Sequence, residues 1–354
     1  MVNWLLEVSI AHKKITCAGF TGLYSSTNGI KSIGATRLSL ARSLIALGPS
    51  HHRMSPLTGA FWWSLRGVAT IFSLLTADLK PTAGFMRLTA SHRASDAFKL
   101  GETLTRWFAQ NHLNSVVFAP LENWTGTLGA PGPGFPYPPK SMPKYFRHSV
   151  KVGGKSEPDF IGLTSAGLSH VIESKGRANF GPYGITEKVV NSARNKALRQ
   201  VCQIATVNGV APQTRTACVF AFDQSGTFGQ VTDPPSSETY DYQTSVQSLI
   251  RQSYAVVLDS HFQQFITDIG VDYLGIEFMP GWKFGIHKAI YRKLQNIKDE
   301  DGAIEFLLTL SDPPFEAIEI ADPSRRSDRS VGRDGLILMG NPDLFKGRLP
   351  DPYG

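Results

Sequence analysis

Two carboxylates and an ammonium fall within a short span in the middle of the chain. Asp159 opens the run Asp159-Phe160-Ile161-Gly162-Leu163, and Glu173 and Lys175 end the run His170–Lys175. Side chains alternate along a strand with period two, so Val171, Glu173 and Lys175 share one face while His170, Ile172 and Ser174 share the other. Thr164–Gly167 supplies turn chemistry between the runs, and a hairpin there brings both acids and the amine into one small volume. Charges beside apolar strand residues are costly unless compensated. A hard divalent cation would compensate them, since Mg²⁺ is held by one or two carboxylates with waters and phosphate oxygens. On this reading Asp159 and Glu173 bind the metal, with the backbone carbonyl of Ser174 as an extra oxygen ligand. Such an ion polarises a phosphate and lowers the pKa of bound water. Lys175 would orient or deprotonate that water, or neutralise charge on the phosphorane oxygens. The plainer alternative makes Asp159 a turn residue and Glu173–Lys175 an exposed strand pair, which is worth little.

Stepping outward, Ser95-Asp96 are N-cap residues for a helix running to about Asn111. Glu102 lies four residues after Phe98, on a side of that helix shared with apolar neighbours. Packed against the hairpin, Glu102 could bind a second ion or position water. Glu122 competes with it as the third acid. Val116–Ala119 predicts a strand, and the Gly- and Pro-rich stretch Gly126–Pro143 a loop or linker. After the hairpin, Thr186 caps a helix predicted to reach Val207, with an apolar stripe of Val190, Ala193, Ala197, Val201 and Ile204. The continuous apolar run Ala217–Phe222 is the mark of a strand covered on both faces. The order from 95 to 223 is therefore helix, strand, strand, strand, helix, strand.

The flanks say less. Residues 1–90 read as an irregular, partly helical extension in which Thr36–Leu47 is a helix stopped by Gly48-Pro49. Trp62-Trp63 reads as core, and His51-His52 as surface loop. Residues 236–354 read as an α/β region. Gln243–Ile269 forms one or two helices there, Tyr273–Phe278 and Glu305–Leu310 strands, Lys288–Ile297 a helix, and Arg325 onward a polar tail. The core is assigned to 91–235.

Charge sharpens the picture. The chain of 354 residues carries a net +7, and between Lys140 and Gln200 eleven basic residues face four acids. A local basic surplus is the footprint of a phosphate-backbone binder, and equally of an ordinary solvated face. Lys155, Arg177, Lys196 and Arg199 are the candidate phosphate contacts. Gln200, one turn beyond Lys196, is a candidate to reach the site. Arg177, Phe180 and Tyr183 interleave in a loop that suits either nucleic acid or a structural role.

Pro158-Asp159 followed by Glu173-Ser174-Lys175 resembles the signature of the PD-(D/E)xK nuclease superfamily. The element order is similar to that family's restriction-endonuclease-like core, and the Gly101-Glu102 helix to its first helix. The resemblance covers about 95–223. It implies an α/β fold with helical N-terminal and mixed C-terminal additions, and phosphodiester hydrolysis with Mg²⁺ or Mn²⁺. It also implies metal ligation by Asp159 and Glu173, with Lys175 catalytic. A DNA endonuclease acting in restriction or defence against foreign DNA is the expected function, alone, as a homodimer or as a subunit of a larger complex. The alternatives are an RNase and a non-catalytic nucleic-acid-binding scaffold.

Composition excludes other classes. Three cysteines (Cys17, Cys202, Cys218) make neither a disulfide framework nor a zinc site. Glu7 and a short apolar stretch argue against a secretory signal, and Arg66 within Leu57–Leu79 argues for a buried helix over a membrane span. A cytoplasmic location is the expectation, in which the sequon at Asn123 has no meaning.

Overall fold

The computed structural model describes residues 13–48, 59–121, 158–235, 240–242, 244–315 and 328–341. Lys155, Glu122, His51-His52, the sequon and the Gly126–Pro143 stretch lie outside the described residues. The protein is a mixed α/β fold. Its first segment contributes strands β1 (Lys14–Ala18) and β2 (Gly29–Ser32) and helices α1 (Arg37–Leu47), α2 (Gly59–Leu74) and α3 (Ala83–Arg87). Helix α4 (Ala90–His112), strands β3 (Val117–Pro120), β4 (Phe160–Leu163) and β5 (Ser169–Ala178), helix α5 (Glu187–Val201) and strand β6 (Ile204–Val207) follow. Strands β7 (Thr214–Asp223), β8 (Gly226–Thr232) and β9 (Tyr240–Tyr242) complete the middle of the chain.

Seven strands form one mixed sheet in the order β2-β1-β8-β7-β5-β4-β3. β4 and β5 are the expected antiparallel hairpin, while β5 and β7 run parallel. The first segment is woven into this sheet, because β1 pairs in parallel with β8. The two faces of β5 follow the alternation. Ser174 and Gly176 meet α4, whereas Lys175 and Arg177 pair with Val219 and Ala221, which pack on Val190 and Ala193 of α5.

Helix α1 ends where expected. Thr36 and Ser39 form a reciprocal capping box at its start, and residues 38–47 are all buried. Helix α2 is half-buried; Trp62 is exposed and not core, whereas Trp63 is partly buried and packs against the core. Among the described residues no helix is long and apolar enough to cross a membrane.

The last segment holds α6 (Val246–Ser253), α7 (Ala255–Leu258), α8 (Ser260–Phe265), β10 (Thr267–Asp268), β11 (Tyr273–Met279) and β12 (Trp282–His287). Helices α9 (Lys288–Gln295) and α10 (Glu300–Thr309) and strands β13 (Arg329–Val331) and β14 (Leu336–Met339) complete it. β10–β14 form a second, five-stranded antiparallel sheet.

Several expectations need correction. The helix expected to be capped at Ser95-Asp96 begins at Ala90 with Thr89 at its N-cap, and the one or two helices expected over 243–269 are three short ones. Glu305–Leu310 is helical: Ala303, Phe306, Leu307 and Leu310 are buried at helical spacing, and Asp299 caps the start. The helix after Thr186 stops at Val201, because Ile204–Val207 pairs with β9 and the Arg215 guanidinium takes the carbonyls of Ile204 and Ala205. The polar segment beyond Arg325 includes two strands, and its polar residues serve buried cations.

Those cations are Arg42 of α1 and Arg106 of α4, both with fully buried side chains. Asp334, in the turn between β13 and β14, accepts from Arg106 Nη2 at 2.6 Å, Arg42 Nη1 at 3.3 Å and Gln110 Nε2 at 2.8 Å. Ser330 Oγ takes Arg42 Nε, and the Phe118 carbonyl takes Arg106 Nη1. A Cβ at Gly332 would sit 1.8 Å from Arg42 Nη1, so this position must be glycine for the guanidinium to fit.

Removing one partner of a buried ion pair strands the other charge. Asp334→Ala should therefore lower stability by about 3–5 kcal/mol, read from urea midpoints. His170 makes a second test. It is fully buried, contacts Tyr24 Oη at 3.3 Å and Thr214 Oγ1 at 3.0 Å, and burial holds its pKa down at about 4. The unfolded chain binds the proton first, so this stability is full above about 6.5 and is lost as pH falls toward 4. His170→Asn should cost stability at pH 7 yet lose less than wild type between neutral and pH 4.5; equal losses would refute the burial account.

Candidate active site

The site forms where β4 and β5 part. Pairing between them runs from Leu163↔Ser169 to Phe160↔Ile172, and beyond Ile172 the edge of β5 is left to Asp159. Asp159 and Glu173 then lock their strands together reciprocally. The Asp159 amide donates to Glu173 Oε2 at 3.0 Å, and the Ser174 amide donates to Asp159 Oδ2 at 2.9 Å. N–H and C=O of one residue leave a strand on the same side. The Ser174 carbonyl therefore lies on the edge that Asp159 faces.

Lys175 closes the group. Its Nζ hydrogen-bonds Glu173 Oε1 and stands 3.8 Å from Asp159 Oδ2. Glu173 is fully buried, and Asp159 and Lys175 are 8% exposed. The exposed-pair alternative thus fails on burial. Desolvation pushes the Lys175 pKa below its ordinary value; Asp159 and Glu102 oppose that shift, and Lys196 and Arg177 reinforce it. Two acids turned onto one ammonium have converged on one cation position.

Helix α4 is held against this strand at backbone distance. A Cβ at Gly176 would lie 1.7 Å from the Ala97 carbonyl oxygen, and one at Gly101 would lie 2.8 Å from Gly176 Cα. One turn on, the Thr105 hydroxyl donates to Ser174 Oγ at 2.9 Å in the buried interface. Gly101 takes the contact with β5, so Glu102, about 100° further round the helix, is turned away from it. Glu102 lines a cavity of about 50 Å³ with Asp159, Lys99, Leu44, Leu47 and Trp63, which has room for a few water-sized ligands. Among the described residues no three acidic, His or Cys side chains converge as an ion-binding group. Glu102 shares the cavity wall with Asp159 and lies within electrostatic reach of Lys175.

The remaining candidates divide. Arg177 shares the Lys175 face of β5, half-buried, with Nη1 on the Gly176 carbonyl at 2.7 Å. Lys196 is exposed on α5, within electrostatic reach of Lys175. Gln200 is buried on α5, while Arg199 is exposed. Lys99, Trp63 and the end of α1 were missed as parts of the site, and nothing in their local spacing signals them. Gly101 and Gly176 carried a signal, being glycines inside a helix and a strand.

No family model matches the chain, and neither a curated protein nor a solved structure matches it. The site must be read from its own chemistry.

Gly176→Ala should destabilise the protein by about 3 kcal/mol or more, since neither backbone can retreat without breaking its own hydrogen bonds. A urea midpoint equal to wild type would show that the α4–β5 contact is not close.

Proposed function

We propose that the chain is a metal-dependent phosphodiesterase, acting as a DNA endonuclease, with Asp159, Glu173 and Lys175 as its working groups. The observation that carries this reading is the convergence of two buried carboxylates on a single cation position at an open strand edge. The donor set fits a hard ion: two carboxylates and the Ser174 carbonyl offer oxygen only, as Mg²⁺ or Mn²⁺ prefers. Bound there, such an ion would supply Lewis-acid polarisation of the phosphate and a more acidic water.

The chain's own groups do the rest. Asp159 and Glu173 are held in place by each other's strand, so they need no reorganisation to bind a cation. Lys175 can leave the acids and hold water by its Nζ; burial, the first cause of its lowered pKa, makes the neutral amine that a general base needs easier to form. Arg177 and Lys196 add positive charge beside the strand, suited to the phosphates on either side of the scissile one. Among strands of the seven-stranded sheet the order from α4 is helix-strand-strand-strand-helix-strand, which supports a restriction-endonuclease-like core and with it a part in defence against foreign DNA.

One observation favours a second reading. Lys175 already sits between the two convergent acids and offsets half of their charge. A scaffold that binds nucleic acid without cutting it would look the same. It predicts binding that weakens steeply with salt and no cleavage with any divalent ion.

Supercoiled plasmid, linear duplex and matched RNA, each with Mg²⁺ or Mn²⁺, separate the readings. Cleavage should stop with EDTA and return with excess Mg²⁺. Lys175→Ala should lower kcat by about 10²–10⁴ while leaving the thermal unfolding curve cooperative. Undiminished turnover in that variant would remove Lys175 from the mechanism.

A further inference from the structure

The loop beyond β5 holds an aromatic ring out in water on a rigid base. Phe180 is buried against Phe85 with ring centroids 5.1 Å apart, and the Phe180 carbonyl accepts from Gln224 Nε2 at 2.8 Å. The Asn179 amide donates to the Phe222 carbonyl at 3.1 Å, and Asn179 Oδ1 takes the Gly181 amide at 3.1 Å. Gly184 closes the turn with its amide on the Gly181 carbonyl at 2.9 Å, at a φ of +58° that suits glycine. The Ile185 amide reaches Asp223 Oδ2 at 3.4 Å. The loop is thus stapled at both ends and in its middle, yet Tyr183 at its tip is 89% exposed.

A ring standing in water adds nothing to the stability of the fold, whereas a ring carried on a pre-fixed backbone binds with less ordering entropy lost. Its surroundings indicate the occupant. Arg177 lies on β5 between Lys175 and the loop, and the Arg93 guanidinium stands 5.9 Å from the centroid of the Phe180 ring that anchors the loop. Four strand steps lead from Lys175 to Asn179 at the start of the loop, roughly 13 Å at about 3.3 Å per residue. An exposed ring on a loop that springs from a strand carrying Arg177, with Arg93 against the loop's anchoring ring, matches a nucleic acid with an unpaired base.

We propose that Tyr183 is a stacking platform for an unpaired base of the nucleic acid, with Arg177 and Arg93 holding the flanking phosphates. The inference rests on the nucleic-acid reading of the neighbouring site and gives its substrate a single-stranded segment. An aromatic stack tolerates any base, so DNA and RNA strands are both tested.

The test is fluorescence anisotropy with the full chain in EDTA, where no turnover occurs, using labelled oligothymidylate, oligouridylate and a DNA duplex. Tyr183→Ala should weaken single-strand binding by about tenfold. Duplex affinity should change less than about twofold, because a paired base offers no free face. Tyr183→Phe should restore single-strand binding and Tyr183→Leu should not, which separates stacking from simple apolar contact. Single-strand binding by Tyr183→Ala at wild-type strength, or full restoration by Leu, would overturn the platform and leave the active-site reading standing. Failure of the wild-type chain to bind any of the three probes would overturn both.

Discussion

The contact between α4 and β5 sets the rest of the molecule. A helix and a strand approach to backbone distance only where neither carries a side chain, and here Gly101 meets Gly176 while the Ala97 carbonyl occupies the space a Cβ would need. That approach fixes the height of α4 above the central sheet. It brings Thr105 onto Ser174, turns Glu102 to the cavity, and leaves the opposite face of β5 to carry Glu173, Lys175 and Arg177. A larger residue at either glycine would lift the helix and loosen the strand that holds both the acid and the amine.

The second constraint is the cost of buried charge. Two guanidinium groups lie with no exposure at the junction of α1, α4 and the β13–β14 turn, answered by Asp334, Gln110, Ser330 and a main-chain carbonyl. Such a cluster is weak as a source of net stability but strict about geometry, because any partner out of place leaves a charge unpaired. It ties the first and last segments of the chain to the helix that overlooks the site. The flanks are therefore part of the scaffold, and α1 and α2 also supply Leu44, Leu47 and Trp63 to the cavity wall.

In the site itself the same cost works toward function. Glu173 is buried without exposure and Asp159 nearly so, yet each takes a backbone amide from the other's strand. The carboxylates stay ordered through hydrogen bonds that do not depend on the cation between them. Lys175 fills that position in this structure. Burial weakens the hold of that amine on its proton, and under the proposed function the amine would give way to a metal ion.

The sequence by itself determined the local elements and the meeting of Asp159, Glu173 and Lys175. Period-two alternation and a turn between two runs are short-range properties, legible in any window a few residues wide. The helix from Thr36 and its glycine stop at Gly48 were legible for the same reason. Where neighbours distant in sequence decide, the reading failed. Ile204–Val207 continues a helical stripe but becomes a strand because Tyr240–Tyr242 and Arg215 are there to bond it. Residues beyond Arg325 look like solvated polar tail until Arg42 and Arg106 are seen to need Asp334, more than two hundred positions away. Only the tertiary structure placed Glu102 on the cavity wall, buried the charges, and raised Tyr183 on its staple. Each of those outcomes depends on which surfaces meet, and that is settled by packing across the whole chain.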